Sequence, residues 1–254
     1  MREQVSGRDV TAIVLGALGG VRLERSLASV AWAAERIVLD PAAGVDGRSV
    51  PAGVRHVAHV APLAELGSAP WLLLLLEGEV ASPPLADALG DVSGVQALSV
   101  PLELHALDAQ WTPRRAPVRL AARAAARLVV RDGRPELAER GRALSAGSVR
   151  IVAEAPPTLE DAVRLLDAEC GAVAAWLAAE QARVRLGQLV LPPLAALLRA
   201  LGAPGTSTRL WARWVAAVFA GYRALLVPAK VWELRQGAAI GPPLAADPVR
   251  RAEA

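Results

Sequence analysis

Two carboxylates end an apolar run in the chain of 254 residues, which reads Trp71-Leu-Leu-Leu-Leu-Leu-Glu77-Gly78-Glu79. A short, bulky and continuous apolar run predicts a strand that is buried on both faces. Carboxylate oxygens at the end of such a strand are suited to hold a divalent cation or to bind a substrate hydroxyl. The alternative is that Glu77 and Glu79 are solvated residues just beyond a core strand.

A third carboxylate, Asp40, ends the shorter apolar run Arg36–Asp40. In a parallel sheet the carboxyl ends of the strands meet at one edge, and ligands of open α/β sheets bind there. We therefore expect Asp40, Glu77 and Glu79 to form a nucleotide and metal site at that edge. Asp40 would lie near the base or ribose, and Glu77 or Glu79 near a cation that bridges the phosphates. Oxygen ligands of this kind suit Mg²⁺ or Mn²⁺.

Other known catalytic and cofactor-binding motifs are absent from the sequence or are matched with the wrong spacing. The stretch Gly16–Gly20 follows the first strand but matches neither G-x-G-x-x-G nor a P-loop. His56 and His59 are three residues apart, so in a strand they would face opposite sides, and His105 has no close partner in the sequence. The sequence has no G-x-S-x-G elbow. Its single cysteine, Cys170, excludes an intramolecular disulfide and a cysteine metal site.

The elements that would position these residues alternate between strand and helix in the first half of the chain. Strand-like runs occupy 9–18, 36–40, 54–60, 71–76 and 95–107, and helical stretches occupy 21–34, 62–66 and 83–89, with Ser82 as the cap of the last. This order predicts an α/β fold with a mostly parallel sheet that is flanked by helices. The stretch 118–130 is ambiguous between strand and helix, and 149–153 is one more strand.

Helices dominate the sequence after residue 157. Thr158-Leu-Glu-Asp161 is a capping-box sequence, and it opens a long helix that reaches about Leu186. Pro192-Pro193 interrupts, 194–201 continues helically, and 208–235 is a further helix with a kink expected at Pro228. We therefore predict an α/β domain over 1–157, a helical extension over 158–240 and a disordered tail over 241–254.

The last of these helices has a basic side and an aromatic side. At about 100° per residue the two sets of residues fall on opposite arcs. The basic set is Arg209, Arg213, Arg223, Lys230 and Arg235, and the apolar set is Trp211, Trp214, Val218, Tyr222, Leu225 and Trp232. Such a helix can lie in the headgroup layer of an anionic membrane. The alternative is that its apolar side packs on the domain and its basic side faces water.

The composition limits the classes of binding partner and the cellular compartment that we expect for this protein. Hydrophobic residues make up 54% of the chain, which is enough for a sizeable core, and the formal net charge is only +3. The sequence lacks a dense basic stripe with interleaved aromatics, so we expect no nucleic-acid partner. The polar start, Met1–Arg8, does not fit a signal peptide. No segment has about 18 uninterrupted apolar residues, so the sequence predicts no spanning helix.

With these pieces placed, the chain resembles the family 2 glycosyltransferases, and especially the bacterial branch that adds sugars to lipopolysaccharide core. Residues 10–15 are similar to the first strand of that family, and residues 23–40 to its stretch ending in "e-i-i-v-v-D". Residues 71–85 resemble "W-v-l-x-l-D-A-D-E-x-v-s-p-e-L". Arg119-Leu120 is similar to its "R-L-f-r-r", Thr158–Asp161 to its "s-l-e-e-y", and Lys230–Leu234 to its closing "K-l-w-e".

The resemblance implies a GT-A-like fold with a C-terminal helical extension, in which 1–157 binds a nucleotide-sugar with Mg²⁺ or Mn²⁺. It implies an inverting displacement at the anomeric carbon, with a carboxylate or imidazole base that we leave unassigned. The acceptor would be a cell-envelope glycolipid or polysaccharide, and the protein would be cytoplasmic and peripheral on the inner membrane. Asp40 would contact the nucleotide, and Glu77 and Glu79 the metal or the acceptor.

The acidic motif departs from the family pattern, and two alignments stay open. Aligned without a gap, Glu79 matches the last acid of D-A-D-E, and Leu76 and Gly78 replace the two metal-side aspartates. Shifted by one residue, Glu77-Gly78-Glu79 substitutes for D-x-D with longer side chains. The "H-E" motif of the family has no histidine here, and Pro135-Glu136 is its nearest remnant. Two other hypotheses therefore stay open. The protein is a catalytically eroded homologue that acts as a binding or scaffolding subunit, or it is a metal-independent transferase.

Overall fold

The structure is a computed structural model of the chain. It describes residues 6, 9–16, 20–40, 51–57, 62–89, 94–106, 109–113, 115–144, 149–154, 156, 158–179, 186–202 and 210–240. The tail predicted to be disordered over 241–254 lies outside the described residues. So do Gly19, Arg209 and residues 41–50 of the loop after Asp40.

The described residues contain thirteen strands. They are β1 (Val10–Leu15), β2 (Glu35–Leu39), β3 (Arg55–Val57), β4 (Trp71–Leu76), β5 (Glu79–Ala81), β6 (Ala97–Ser99), β7 (Leu102–Ala106), β8 (Ala109–Trp111), β9 (Val118–Ala122), β10 (Val129–Arg131), β11 (Arg134–Glu136), β12 (Arg142–Ala143) and β13 (Ile151–Glu154). The segment that was ambiguous in the sequence therefore forms β9 and β10. A short 3₁₀ turn, Leu63–Glu65, stands where a brief helix was predicted.

Seven of these strands form the central sheet, in the order β12-β6-β9-β4-β1-β2-β3. Every neighbouring pair in this sheet is parallel except the two that involve β9, which runs antiparallel to β4 and β6. A smaller sheet has the order β5-β13-β7-β8, and β10 pairs with β11 as a hairpin. The prediction of an α/β fold with a mostly parallel sheet is confirmed.

The central strands are buried on both faces, as their continuous apolar runs predict. All six residues of β4 and all six of β1 are buried. Because side chains alternate along a strand, β1 and β4 feed two separate cores. One core contains Val10, Val14, Leu73 and Leu75 together with Leu23 and Leu27. The other contains Ile13, Leu15, Leu72 and Leu74 together with Leu166, Val173, Trp176 and Val227.

Five α-helices are described: α1 (Val21–Ser29), α2 (Pro84–Ala88), α3 (Leu159–Ala179), α4 (Leu191–Leu201) and α5 (Leu210–Ile240). The predicted cap of α3 is confirmed, since the Asp161 backbone N–H donates to Thr158 Oγ1 over 3.1 Å. The predicted cap of α2 is wrong by one residue, because Pro83 occupies that position. The Ser82 hydroxyl instead accepts the backbone N–H of Arg150. Proline in the first turn of a helix is tolerated, so α4 begins at Leu191 and includes Pro192 and Pro193.

Helix α5 packs with its basic side inward, so the alternative in which that side faces water is wrong. Arg223 Nη1 lies 2.8 Å from Glu169 Oε2, and Lys230 Nζ lies 2.9 Å from Asp167 Oδ1. Both carboxylates belong to α3, and their charges draw the basic side of α5 towards the protein. The aromatic side faces outward, with Trp211, Trp214 and Trp232 exposed by 74%, 48% and 52%.

The stretch Arg213–Gln236 of α5 has 24 residues and a mean hydropathy of 1.3, so by length and composition it is long and apolar enough to cross a membrane. The sequence predicted no such segment. The ion pairs of Arg223 and Lys230 lie within this stretch and tie it to α3. Helices α3 and α5 also share a core with the sheet, and the predicted domain boundary at residue 157 stays a prediction.

Candidate functional site

Two of the three predicted carboxylates lie at one edge of the central sheet. The register places Leu39, Leu15 and Leu76 side by side across β2, β1 and β4. Asp40 and Glu77 follow directly, on either side of β1. Neighbouring strands are about 4.8 Å apart, so the two backbones are separated by about 10 Å. Asp40 and Glu77 are both buried, while the chain carries Glu79 onward into the smaller sheet.

Gly78 makes the turn between the two sheets. Its φ of +86° lies in the left-handed region, which glycine adopts without strain. The turn is held by the Gly78 N–H, which donates to Ser26 Oγ over 2.9 Å, and by the Leu76 N–H, which donates to Glu79 Oε2 over 2.9 Å. A Cβ atom on Gly78 would lie 2.7 Å from Cζ and 2.9 Å from Nε of Arg22. The turn therefore favours glycine here, and a side chain at this position would also displace the Arg22 guanidinium.

Glu79 is the centre of a buried ion-pair cluster. Its Oε1 accepts Arg119 Nη2 over 2.6 Å and lies 3.5 Å from Arg134 Nη1. The side chains of Glu79 and Arg119 are 2% and 0% exposed. Arg119 Nη1 also donates to the Pro135 carbonyl over 3.0 Å. Glu79 thus ties the turn after β4 to β9 and to the β10–β11 hairpin.

This cluster does not fit the metal-ligand role predicted for Glu79. One carboxylate oxygen receives Arg119 and the other receives the Leu76 N–H. A divalent cation here would also face the positive charges of Arg119 and Arg134. Within the described part of the chain, no group of three or more His, Cys, Asp or Glu residues is arranged to hold a metal ion. The role predicted for Glu77 stays a prediction.

The two alignments of the acidic motif both stay open. The structure shows what surrounds the residues that each alignment places at the metal side. In the ungapped alignment those residues are Leu76 and Gly78. Leu76 is a buried strand residue, and the space beside Gly78 holds the Arg22 guanidinium.

A cavity of about 430 Å³ opens beside the turn. It lies between the smaller sheet, the β10–β11 hairpin and helices α3, α4 and α5. Its walls include Glu77, Gly78 and Glu79, whereas Asp40 is not among the lining residues. Seven arginines and six carboxylates of the described chain line it, and the arginines are Arg22, Arg115, Arg131, Arg134, Arg199, Arg213 and Arg223.

Ion pairs hold several of these arginines in place. Arg199 pairs with Asp132, Arg131 lies 3.6 Å from Glu136, and Arg223 pairs with Glu169. Burial, together with the nearby charge of Arg223, lowers the pKa of Arg134 to about 10. Arg134 still carries its proton at neutral pH. The cavity therefore has a mostly apolar wall that carries guanidinium and carboxylate groups in nearly equal number, several of them paired with one another.

Comparison with known proteins gives a distant structural similarity. No protein-family model and no curated protein matches the chain. Among solved structures, the chain is similar to residues 1–349 of S. aureus TarS, a glycosyltransferase. The identity is 11%, the match covers 90% of this chain and 92% of that chain, and the TM-score is 0.38. A similarity at this level assigns neither a family nor a function.

Proposed function

We propose that this protein is glycosyltransferase-like and that its cavity binds a nucleotide-sugar. The observation that supports this most is the arginine-lined cavity of about 430 Å³ next to the carboxyl end of β4. Open α/β sheets bind ligands at this edge, and the volume is typical of small-molecule sites. Guanidinium groups suit a diphosphate because they form paired, charge-assisted hydrogen bonds to its oxygens.

The proposal gives the carboxylates different roles. Asp40 lies about 10 Å from Glu77 along the sheet edge, so it would contact the nucleoside beyond the cavity. Glu77 lines the cavity, and it is the carboxylate that we assign to the acceptor hydroxyl. The charge that develops on the departing diphosphate would be offset by the arginines. Glu79 would support the fold of the site rather than touch the ligand.

Titration with UDP-sugars and GDP-sugars tests this proposal. We expect dissociation constants between about 1 μM and 1 mM for the correct donor, the usual range for enzyme substrates. Arg115→Ala, in the cavity wall, should weaken binding. Arg164→Ala should not, because Arg164 is 67% exposed and lies outside the lining. If no nucleotide-sugar binds, the alternative of an eroded homologue that serves as a binding or scaffolding subunit is favoured.

We further propose that the outer face of α4 and α5 docks on a membrane and brings the cavity to a glycolipid acceptor. Within the described part of that face, the exposed large apolar side chains are Leu191, Leu194, Leu198, Trp211, Trp214, Val218, Tyr222, Leu225 and Trp232. Tryptophan and tyrosine are favoured at the membrane interface, where one end of the ring is apolar and the other is wet. The opposite side of the same two helices lines the cavity, through Ala196 and Phe219 among others.

This geometry changes the lipid preference that the sequence suggested. Arg223 and Lys230 point inward, so binding should depend on apolar insertion and should occur on zwitterionic as well as anionic vesicles. The double variant Trp211→Ser/Trp214→Ser should lose vesicle binding. Val21→Ser is the matched control, because Val21 is 71% exposed on α1. Binding that requires anionic lipid and disappears in salt would contradict the proposal, as would a dimer that the tryptophan variant abolishes.

A further inference from the structure

We propose that the Arg22 guanidinium takes the place of the divalent cation at this site and binds the diphosphate of the donor directly. The inference rests on the proposed function, since it takes the diphosphate from a nucleotide-sugar. It differs from the sequence-based expectation of Mg²⁺ or Mn²⁺ at Glu77 and Glu79.

The position of Arg22 is fixed by the elements around it. Arg22 lies in the first turn of α1, and its side chain reaches across Gly78 to the smaller sheet. There Nη2 donates to the Glu154 carbonyl of β13 over 2.6 Å. The side chain thus bridges the turn after β4 and the end of β13, and it forms part of the cavity wall. A guanidinium that is positioned by this hydrogen bond is preorganised to bind an anion.

The charges around the turn argue against a metal and for an anion. Arg22 lies against Gly78, and Arg119 and Arg134 converge on Glu79. Three guanidinium groups therefore surround the short segment that would have to supply metal ligands. Gly78 contributes no side chain, and the Glu79 oxygens are already bound by donors. With the carboxylates of Glu77 and Glu79 counted, the turn still has one more positive than negative formal charge, which favours a diphosphate over a cation.

A guanidinium in place of a metal ion can stabilise the negative charge of the donor phosphates in the same way. Either group places positive charge beside the phosphate oxygens of the donor. Arginine adds directional N–H donors in a planar fork. The absence of a side chain at Gly78 is what admits this group, because any Cβ there would overlap the guanidinium.

The test compares binding of UDP, GDP and inorganic pyrophosphate by calorimetry in EDTA and in Mn²⁺. For wild type we expect affinities that agree within about threefold in the two buffers. Arg22→Ala should weaken binding by roughly tenfold or more, the loss expected for a hydrogen bond to a charged group. Arg22→Lys keeps the charge without the planar fork and should fall between the two. Arg164→Ala is the control, because Arg164 is 67% exposed and lies outside the cavity lining.

The outcomes separate this inference from the proposed function. If wild type binds only in Mn²⁺, the inference is overturned while the nucleotide-sugar site stands. If Arg22→Ala binds as tightly as wild type, the inference is likewise overturned. If wild type binds none of the probes in either buffer, the proposed function fails and the inference fails with it. The wild-type comparison in EDTA stands even if a variant does not fold.

Discussion

Replacing Glu79 with glutamine should unfold the protein far more easily, because Glu79 is the only carboxylate within ion-pair distance of Arg119 among the described residues. The substitution keeps the size of the side chain but removes the charge that lies 2.6 Å from Arg119 Nη2. Arg119 is fully buried, so its charge would be left in the interior uncompensated. Removing one partner of a buried pair costs about 3–5 kcal/mol.

Urea denaturation followed by circular dichroism measures this loss. For a chain of this size, about 3–5 kcal/mol corresponds to a fall in Tm of roughly 6–20 °C. Glu154→Gln is the matched control, since it breaks the Arg25–Glu154 pair, whose side chains are 57% and 44% exposed. Such exposed pairs contribute about 0–1 kcal/mol. A Glu79→Gln protein within about 1 kcal/mol of wild type would refute the structural role, as would a loss seen only when Mn²⁺ is present.

Three further predictions concern the turn, the buried thiol and the cap. In urea titrations, Gly78→Ala should lower the free energy of unfolding by more than Gly94→Ala does. Both glycines have positive φ, but only Gly78 has a guanidinium against it, so equal losses would contradict that contact. Burial raises the pKa of Cys170 to about 12, so iodoacetamide at pH 8 should modify this thiol only when the protein unfolds. Rapid reaction with the native protein would contradict this. Thr158→Ala should cost about 0.5–2 kcal/mol in the same urea titration, and no change would argue against the capping box.

The sheet and its edge could be predicted from the sequence because their signals are local. The continuous apolar run Trp71–Leu76 can be satisfied only by a strand covered on both faces. The order of strands and helices then requires parallel pairing, and this places Asp40 and Glu77 at one edge. The capping box at Thr158 is local in the same way, and it correctly marked the start of α3.

The surroundings of the site could not be predicted, because they depend on contacts between distant residues. Nothing near Glu79 in the sequence shows that its carboxylate accepts a hydrogen bond from Arg119, which lies forty residues later. The alternation of basic and aromatic residues in α5 defines two sides but not which side faces inward. That choice is made by Asp167 and Glu169 on α3, which attract the basic side. The one feature of the sequence that could have indicated a neighbouring side chain such as Arg22 was Gly78, which leaves space for it.

A crystal structure grown with UDP or GDP and Mn²⁺, with anomalous data collected at the manganese edge, tests the central claim most directly. We expect diphosphate density in the cavity within hydrogen-bond distance of the Arg22 guanidinium. We expect no anomalous peak at the carboxylates of Glu77 and Glu79. An anomalous peak at those carboxylates, or a diphosphate bound away from Arg22, would contradict the central claim.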